Sequence, residues 1–86
     1  MELHERIKLL RESRYLSQRA FSDFIGGAIS HSTIAQIERG QTEAPRADTI
    51  RIVADGLGLA PEELLRGLEL TQAQKMRYVS AGIIDV

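Results

Sequence analysis

Residues 16–40 read LSQRAFSDFIGGAISHSTIAQIERG, and this stretch predicts two short helices joined by a glycine-bearing turn. Ser17 and Ser30 are each suited to cap a helix, because a serine hydroxyl accepts hydrogen bonds from the free backbone N–H groups of the first turn. Ile29, immediately before the second cap, can pack against Ile34 one turn into the helix. The second helix of the pair is therefore predicted to begin at His31.

This second helix has two unlike faces. At about 100° per residue, Ile34 and Ile37 fall on one arc together with Thr33. The opposite arc carries small or hydrogen-bonding side chains, namely His31, Ser32, Ala35, Gln36 and Arg39. Isoleucine favours burial, whereas such polar side chains match the donor and acceptor edges of the bases in a DNA major groove. We call this element the reader helix, since it is predicted to bury one face and to read DNA with the other.

The first helix of the pair shows the complementary pattern. Phe21, Phe24 and Ile25 recur at the i, i+3, i+4 spacing and predict a buried face. Ser22 lies between them, and its small side chain allows another helix to cross closely.

The ordered set of residues resembles the helix-turn-helix of the phage repressor and Cro type, the XRE family. The matching positions are Leu16, Gln18, Gly26, Ile29-Ser30, Ile34, Ile37 and Glu38-Arg39-Gly40. The resemblance implies an all-α fold with five helices and, here, a short extra C-terminal helix. One departure is Gly27-Ala28, which looks like a two-residue insertion after Gly26. Glycine accepts backbone angles that other residues resist, so the longer turn is feasible.

The resemblance also implies which residues touch double-stranded DNA. Three are expected at base edges: His31, Ser32 and Gln36. Gln36 is the strongest candidate for a base contact, because a glutamine amide can pair with adenine through two hydrogen bonds. Six are expected at phosphates: Gln18, Arg19, Arg39, Gln41, Thr42 and Arg46. The alternative for each is an ordinary solvated side chain.

Arg11 occupies a family position whose arginine pairs with the acidic residue that closes the reader helix, here Glu38. The resemblance therefore implies an Arg11–Glu38 ion pair that joins the first and third helices. The alternative is a solvated surface arginine.

Composition limits the classes of protein. The chain has 86 residues, no cysteine and a formal net charge of −1, which fits one small domain without disulfides or thiolate metal sites. No apolar run approaches the roughly 20 residues that span a bilayer. We expect a cytoplasmic protein without cofactor, metal or membrane contact. Residues 1–19 carry five basic and three acidic side chains, whereas residues 48–69 carry two basic and five acidic ones. The positive end is thus expected beside the reader helix.

The remaining chain predicts further helices over residues 2–14 and 47–58, a short one from Pro61, and one over residues 72–80. Residues 1–69 are predicted to form the DNA-binding domain and residues 70–86 a helical extension. Thr71 and Gln74 have the spacing of a capping box, in which each side chain bonds the other's backbone N–H. Ala73, Met76 and Val79 lie along one side of the last helix.

The apolar tail Ile83-Ile84-Asp85-Val86 leaves three alternatives open: folding back onto the core, contact with a second copy, or disorder. The dimer alternative predicts an interface that contains Met76, Val79, Ile83 and Ile84.

The sequence gives little support to catalysis. His4 and His31 lie on separate helices, and the chain contains no glycine-rich phosphate loop. Glu62-Glu63 is explained by the preference of acidic residues for a helix start. We therefore expect a transcriptional regulator rather than an enzyme, in its simplest form a repressor that binds a palindromic operator as a homodimer. The alternative is a protein-interaction module or an antitoxin-like protein that retains the scaffold and binds a regulatory protein partner.

Overall fold

The computed structural model describes residues Met1–Asp85, and all regular secondary structure within that range is helical. The six helices are α1 Leu3–Ser13, α2 Gln18–Phe24, α3 His31–Glu38, α4 Ala47–Gly56, α5 Pro61–Leu65 and α6 Gln72–Ser80. The predicted all-α class is confirmed. Within Met1–Asp85, every helix is too short or too polar to cross a lipid bilayer. The fourth predicted tail residue, Val86, lies outside the described residues.

Side-chain caps set the starts of three helices. The Ser17 hydroxyl accepts from the Ala20 N–H at 3.0 Å, and the Ser30 hydroxyl accepts from the Thr33 N–H at 3.2 Å. Thr71 and Gln74 form the reciprocal capping box, with bonds of 2.9 and 3.1 Å. Since these bonds satisfy N–H groups that have no partner inside the helix, α2, α3 and α6 begin where the sequence predicts.

Helix α4 ends at Gly56, two residues before the predicted end. Gly58 adopts a φ of +79°, and the N–H of Leu59 reaches back to the carbonyl of Ala54 at 2.8 Å. This left-handed closure is one that glycine adopts with little strain. It turns the chain sharply towards α5.

All six helices contribute to a single core. The most deeply buried apolar side chains are Leu3, Ile7, Phe21, Ile34, Ile50, Val53, Ala54, Leu64, Leu65 and Tyr78. Tyr78 belongs to α6 and is 0% exposed, so the C-terminal helix packs into the same core as the other five. The tail continues this packing, because Ile83 is 8% exposed and its N–H donates to the Tyr78 carbonyl at 2.9 Å. At Ile83 the tail therefore folds back onto its own core.

The predicted buried face of α2 is wrong at Phe24, which is 67% exposed. Helix α4 explains the difference. A Cβ added to Gly56 would lie 2.5 Å from Ile25 Cγ2 and 3.0 Å from Phe21 Cζ. Phe21 and Ile25 therefore pack against the bare backbone of Gly56. Phe24 takes no part in this contact with α4. Thr33, predicted on the buried arc of the reader helix, is likewise exposed.

The last helix also buries a different side from the one that carries its apolar residues. Gln74 and Tyr78 face the interior, whereas Ala73 is exposed and Met76 is 63% exposed. Val79 is half-buried. The interior therefore receives two polar-tipped side chains of α6, and the apolar side is left at the surface.

Candidate nucleic-acid interface

Helix α3 has one buried apolar side and one exposed polar side, as predicted for the reader helix. Ile34 and Ile37 are buried, whereas Ser32 and Gln36 are exposed and lie one turn apart. His31, at the first position, is half-buried, as is Ala35. The burial of the isoleucine side fixes the rotation of the helix about its axis. Two of the three predicted base-contacting side chains, Ser32 and Gln36, are thereby exposed to solvent, and His31 is half-buried.

The turn between α2 and α3 is ordered by hydrogen bonds. Gly26 and Gly27 both adopt left-handed angles, with φ of +71° and +74°, and the Gly27 N–H donates to the Ser22 carbonyl at 2.8 Å. The buried Ser22 hydroxyl donates to the Ile29 carbonyl at 2.7 Å. Because glycine tolerates these angles, the turn closes tightly, and Ser22 fixes the entry into α3.

The structure pairs Arg11 with Glu38 through two parallel bonds. Arg11 Nε donates to Glu38 Oε2 and Arg11 Nη2 donates to Glu38 Oε1, each at 2.7 Å. Arg11 Nη1 also donates to the Leu16 carbonyl at 2.7 Å. The hydrogen bond to Glu38 raises the pKa of Arg11, although burial opposes this effect. The bidentate pair joins α1 to the end of α3, and the bond to Leu16 ties both to the connection that leads into α2.

Gln18 shares this network. Its amide nitrogen donates to Glu38 Oε1 at 3.1 Å, so the first residue of α2 lies beside the last residue of α3. An amide nitrogen carries two donors, and the bond to Glu38 uses one of them. The second donor is available to a phosphate oxygen, which is compatible with the predicted role of Gln18.

The other predicted phosphate-contacting residues all reach the surface. Arg19 is exposed on α2, and the exposed residues that follow α3 are Arg39, Gln41, Thr42 and Arg46. We call residues 39–46 the connector. Glu43 is exposed in the same segment and brings a negative charge close to these cations.

Arg6 on α1 and Arg14, the residue that follows α1, have partners that the sequence analysis missed. Arg6 Nη1 donates to the Arg66 carbonyl at 2.7 Å, beyond the end of α5, and Arg14 Nη2 donates to the Leu57 carbonyl at 2.6 Å, at the end of α4. With Arg11 engaged by Glu38, three of the five basic residues in positions 1–19 serve helix ends or an ion pair. A bond to a neutral carbonyl leaves the charges of Arg6 and Arg14 in place, whereas Glu38 neutralises the charge of Arg11. No local pattern could have revealed these partners, because the acceptors are backbone carbonyls 60 and 43 residues further along the chain.

One group of side chains has the composition of a metal site. The ligand atoms of Glu2, His4 and Glu5 lie within 4.8 Å of one another. Glu5 Oε1, however, accepts from the Glu2 N–H at 2.9 Å, and this bond belongs to the capping box that starts α1. The cluster is thus explained by helix capping at a solvent-exposed N-terminus and identifies no metal.

Comparison with known proteins agrees with this arrangement. The helix-turn-helix family profile matches residues 7–64, which include α2, the glycine turn and α3. The chain is 32% identical over 87 aligned positions to the HTH-type transcriptional regulator DdrOP3 of Deinococcus deserti. The alignment covers 100% of this chain and 64% of that relative, so the chain spans less than two thirds of the relative's length. The chain therefore belongs to the XRE family of helix-turn-helix proteins.

Proposed function

We propose that this chain is a sequence-specific DNA-binding transcriptional regulator whose helix α3 enters the major groove. The observation that carries the proposal is the pairing of exposed Ser32 and Gln36 with buried Ile34 and Ile37 on one helix. The helix thus presents hydrogen-bonding side chains at the surface, while its buried isoleucines fix it against the core. The printed name of the relative, a transcriptional regulator, supports the same role. A cytoplasmic location follows from that role.

In this proposal, His31, Ser32 and Gln36 contact base edges, with Gln36 opposite an adenine. Arg19, Arg39 and Arg46 neutralise phosphates, and Gln18, Gln41 and Thr42 donate hydrogen bonds to the same backbone. Phosphate contacts fix the register of the protein on the duplex, whereas base contacts select the sequence. The formal net charge of −1 makes the sequence-independent share of the affinity small.

The Gln36→Ala variant tests the placement of the reader helix. We expect it to weaken binding to the preferred duplex by about 1–3 kcal/mol while leaving binding to unrelated duplexes unchanged. Ser13→Ala is the control, because Ser13 is an exposed, uncharged polar residue at the end of α1, outside the proposed DNA interface. Equal affinities of Gln36→Ala and Ser13→Ala for the preferred duplex would contradict the proposal.

We also propose that the protein binds a palindromic operator as a homodimer and represses by blocking RNA polymerase. The proposed interface is an apolar groove of about 620 Å³, lined mainly by Leu68, Leu70, Met76, Val79 and Ile84. Ile83 is omitted, because its side chain is buried in the protein's own core. Lys75 and Asp85 also line the groove. A twofold interface places the same patch of two copies face to face. Lys75 of each copy can therefore pair with Asp85 of the other.

The Met76→Glu variant tests this dimer. It places a charge in the groove, so sedimentation should show a monomer and the affinity for an inverted-repeat duplex should fall. Leu9→Glu is the matched control, because Leu9 is a similarly exposed apolar residue on α1. An unchanged sedimentation mass for Met76→Glu, or a wild-type protein that binds the inverted repeat as a monomer, would contradict the dimer.

A further inference from the structure

Three side chains of α6 hold three consecutive carbonyl groups of the connector. Gln74 Nε2 donates to the Glu43 carbonyl at 2.6 Å, Arg77 Nη1 donates to the Ala44 carbonyl at 3.0 Å, and the Tyr78 hydroxyl donates to the Pro45 carbonyl at 2.8 Å. Gln74, Arg77 and Tyr78 have the i, i+3, i+4 spacing of one helix face. A single face of α6 therefore binds the backbone of the segment that follows the reader helix.

The connector needs such external partners. Residues 41–46 form no helix, so their backbone groups lack the regular bonds that fix a helical segment. Pro45 is buried and cannot donate a backbone hydrogen bond at all. The bonds from α6 satisfy the carbonyls of residues 43–45 and hold this stretch in one conformation.

The same short segment carries exposed Gln41, Thr42 and Arg46, which the proposed function assigns to DNA phosphates. A segment that is already ordered loses less conformational entropy when it binds than a mobile one does. Since α6 lies beyond residues 7–64, the part that matches the family profile, it contributes this order from outside the shared unit.

We propose that Gln74, Arg77 and Tyr78 are positioning residues for DNA binding, which set the affinity for the DNA backbone by holding the connector without touching DNA themselves. This inference rests on the proposed function. It assigns to the C-terminal helix a role in the DNA-binding surface that is separate from any role in dimerisation, because Met76 and the groove lie on a different side of α6.

The side chains allow the bonds to be removed without removing the helix. Gln74→Glu keeps a side-chain oxygen that can accept from the Thr71 N–H but deletes the N–H donor to the Glu43 carbonyl. Tyr78→Phe keeps the buried ring and deletes only the hydroxyl. Arg77→Ala removes an exposed side chain and one bond. Arg66→Ala is the control, because Arg66 is an exposed arginine beyond the end of α5, outside both the groove and the connector.

The experiment measures the affinity of fully folded protein, as judged by circular dichroism, for the preferred duplex. We expect Gln74→Glu/Tyr78→Phe to bind about tenfold more weakly and Arg77→Ala about threefold more weakly, since a net hydrogen bond corresponds to a several-fold change in an equilibrium. In these variants, phosphate-ethylation interference should weaken only at the phosphates bound by residues 41–46. Their preference among base sequences should remain that of the wild type. Arg66→Ala should retain the interference pattern.

A purely structural role would lower the stability of the variants and leave the affinity and the interference pattern of the folded protein unchanged, and that result would overturn the inference. If the double variant does not fold, Arg77→Ala alone decides between the two outcomes. The wild-type protein is measured first. A wild-type protein that binds no duplex refutes the proposed function itself, whereas a binding wild type with equally binding variants refutes only the positioning role.

Discussion

The guanidinium of Arg11 and the carboxylate of Glu38 meet through two 2.7 Å bonds, and both side chains are almost fully buried. The pair bridges α1 and α3 while Gln18 adds a third bond to the same carboxylate. A buried charge without its partner is far more costly than an exposed one, because the interior cannot replace the lost solvation. The position of the reader helix therefore depends on both members of this pair.

The first prediction concerns this ion pair. Arg11→Met should lower the free energy of unfolding by about 3–5 kcal/mol, because it leaves the Glu38 carboxylate buried and uncompensated. The double variant Arg11→Met/Glu38→Leu should recover most of that loss, since it removes both charges. Urea denaturation of the single and double variants measures the difference. Asp48→Ala is the control, because Asp48 forms an exposed pair with Arg51 at 3.5 Å and should cost less than about 1 kcal/mol. A double variant less stable than Arg11→Met would contradict the interpretation.

The second prediction concerns the contact between α2 and α4. On helix propensity alone, Gly56→Ala should gain about 1 kcal/mol. We expect instead a net loss of about 1–3 kcal/mol, because the new Cβ would lie 2.5 Å from Ile25 Cγ2. Thermal and urea unfolding measure this change. In a double-mutant cycle, Ile25→Ala should relieve part of the loss, and additive effects of the two substitutions would argue against a steric cause.

The third prediction is a pH dependence that originates at Tyr78. Burial raises the pKa of Tyr78 from 10.0 to about 12, although the charge of Arg77 opposes the shift. Below the unfolded value, both states keep the proton and the contribution to stability is complete. Between the two values, the unfolded state loses its proton first, so stability falls as the pH rises. We expect this residue to contribute a loss of ~1.4 kcal/mol by about pH 11.

Denaturation of the wild type and of Tyr78→Phe at a series of alkaline pH values isolates that contribution. The phenylalanine variant lacks the ionisable hydroxyl, so the stability difference between the two proteins should shrink as the pH rises through this range. Parallel stability curves for the two proteins would show that the hydroxyl does not titrate in this way.

Local sequence patterns predicted much of the secondary structure. Ser17, Ser30 and Thr71 identified the starts of their helices, because a cap bonds to N–H groups within its own first turn and needs no distant partner. The alternation of isoleucine and polar residues in the reader helix likewise predicted its buried and exposed sides, Thr33 excepted. The Arg11–Glu38 contact followed from resemblance to the family rather than from any local pattern.

The errors arose where distant segments decide burial. Phe24 is as apolar as Phe21, but Phe21 packs against the bare backbone of Gly56 on α4 whereas Phe24 stays 67% exposed. In α6, Gln74 and Tyr78 are buried because the connector offers them carbonyl acceptors more than thirty residues earlier in the chain. A periodicity of apolar residues cannot reveal such partners, since the buried groups are polar and their acceptors are backbone atoms.

The most direct test of the central claim, that α3 reads base sequence in duplex DNA, is selection of bound duplexes from a random pool at low ionic strength, followed by sequencing. The account predicts enrichment of an inverted repeat whose half-sites are about one helical turn apart, with an adenine position that loses its enrichment when the selection is repeated with Gln36→Ala. Recovery of no enriched sequence, or the same enriched sequence with both proteins, would contradict it.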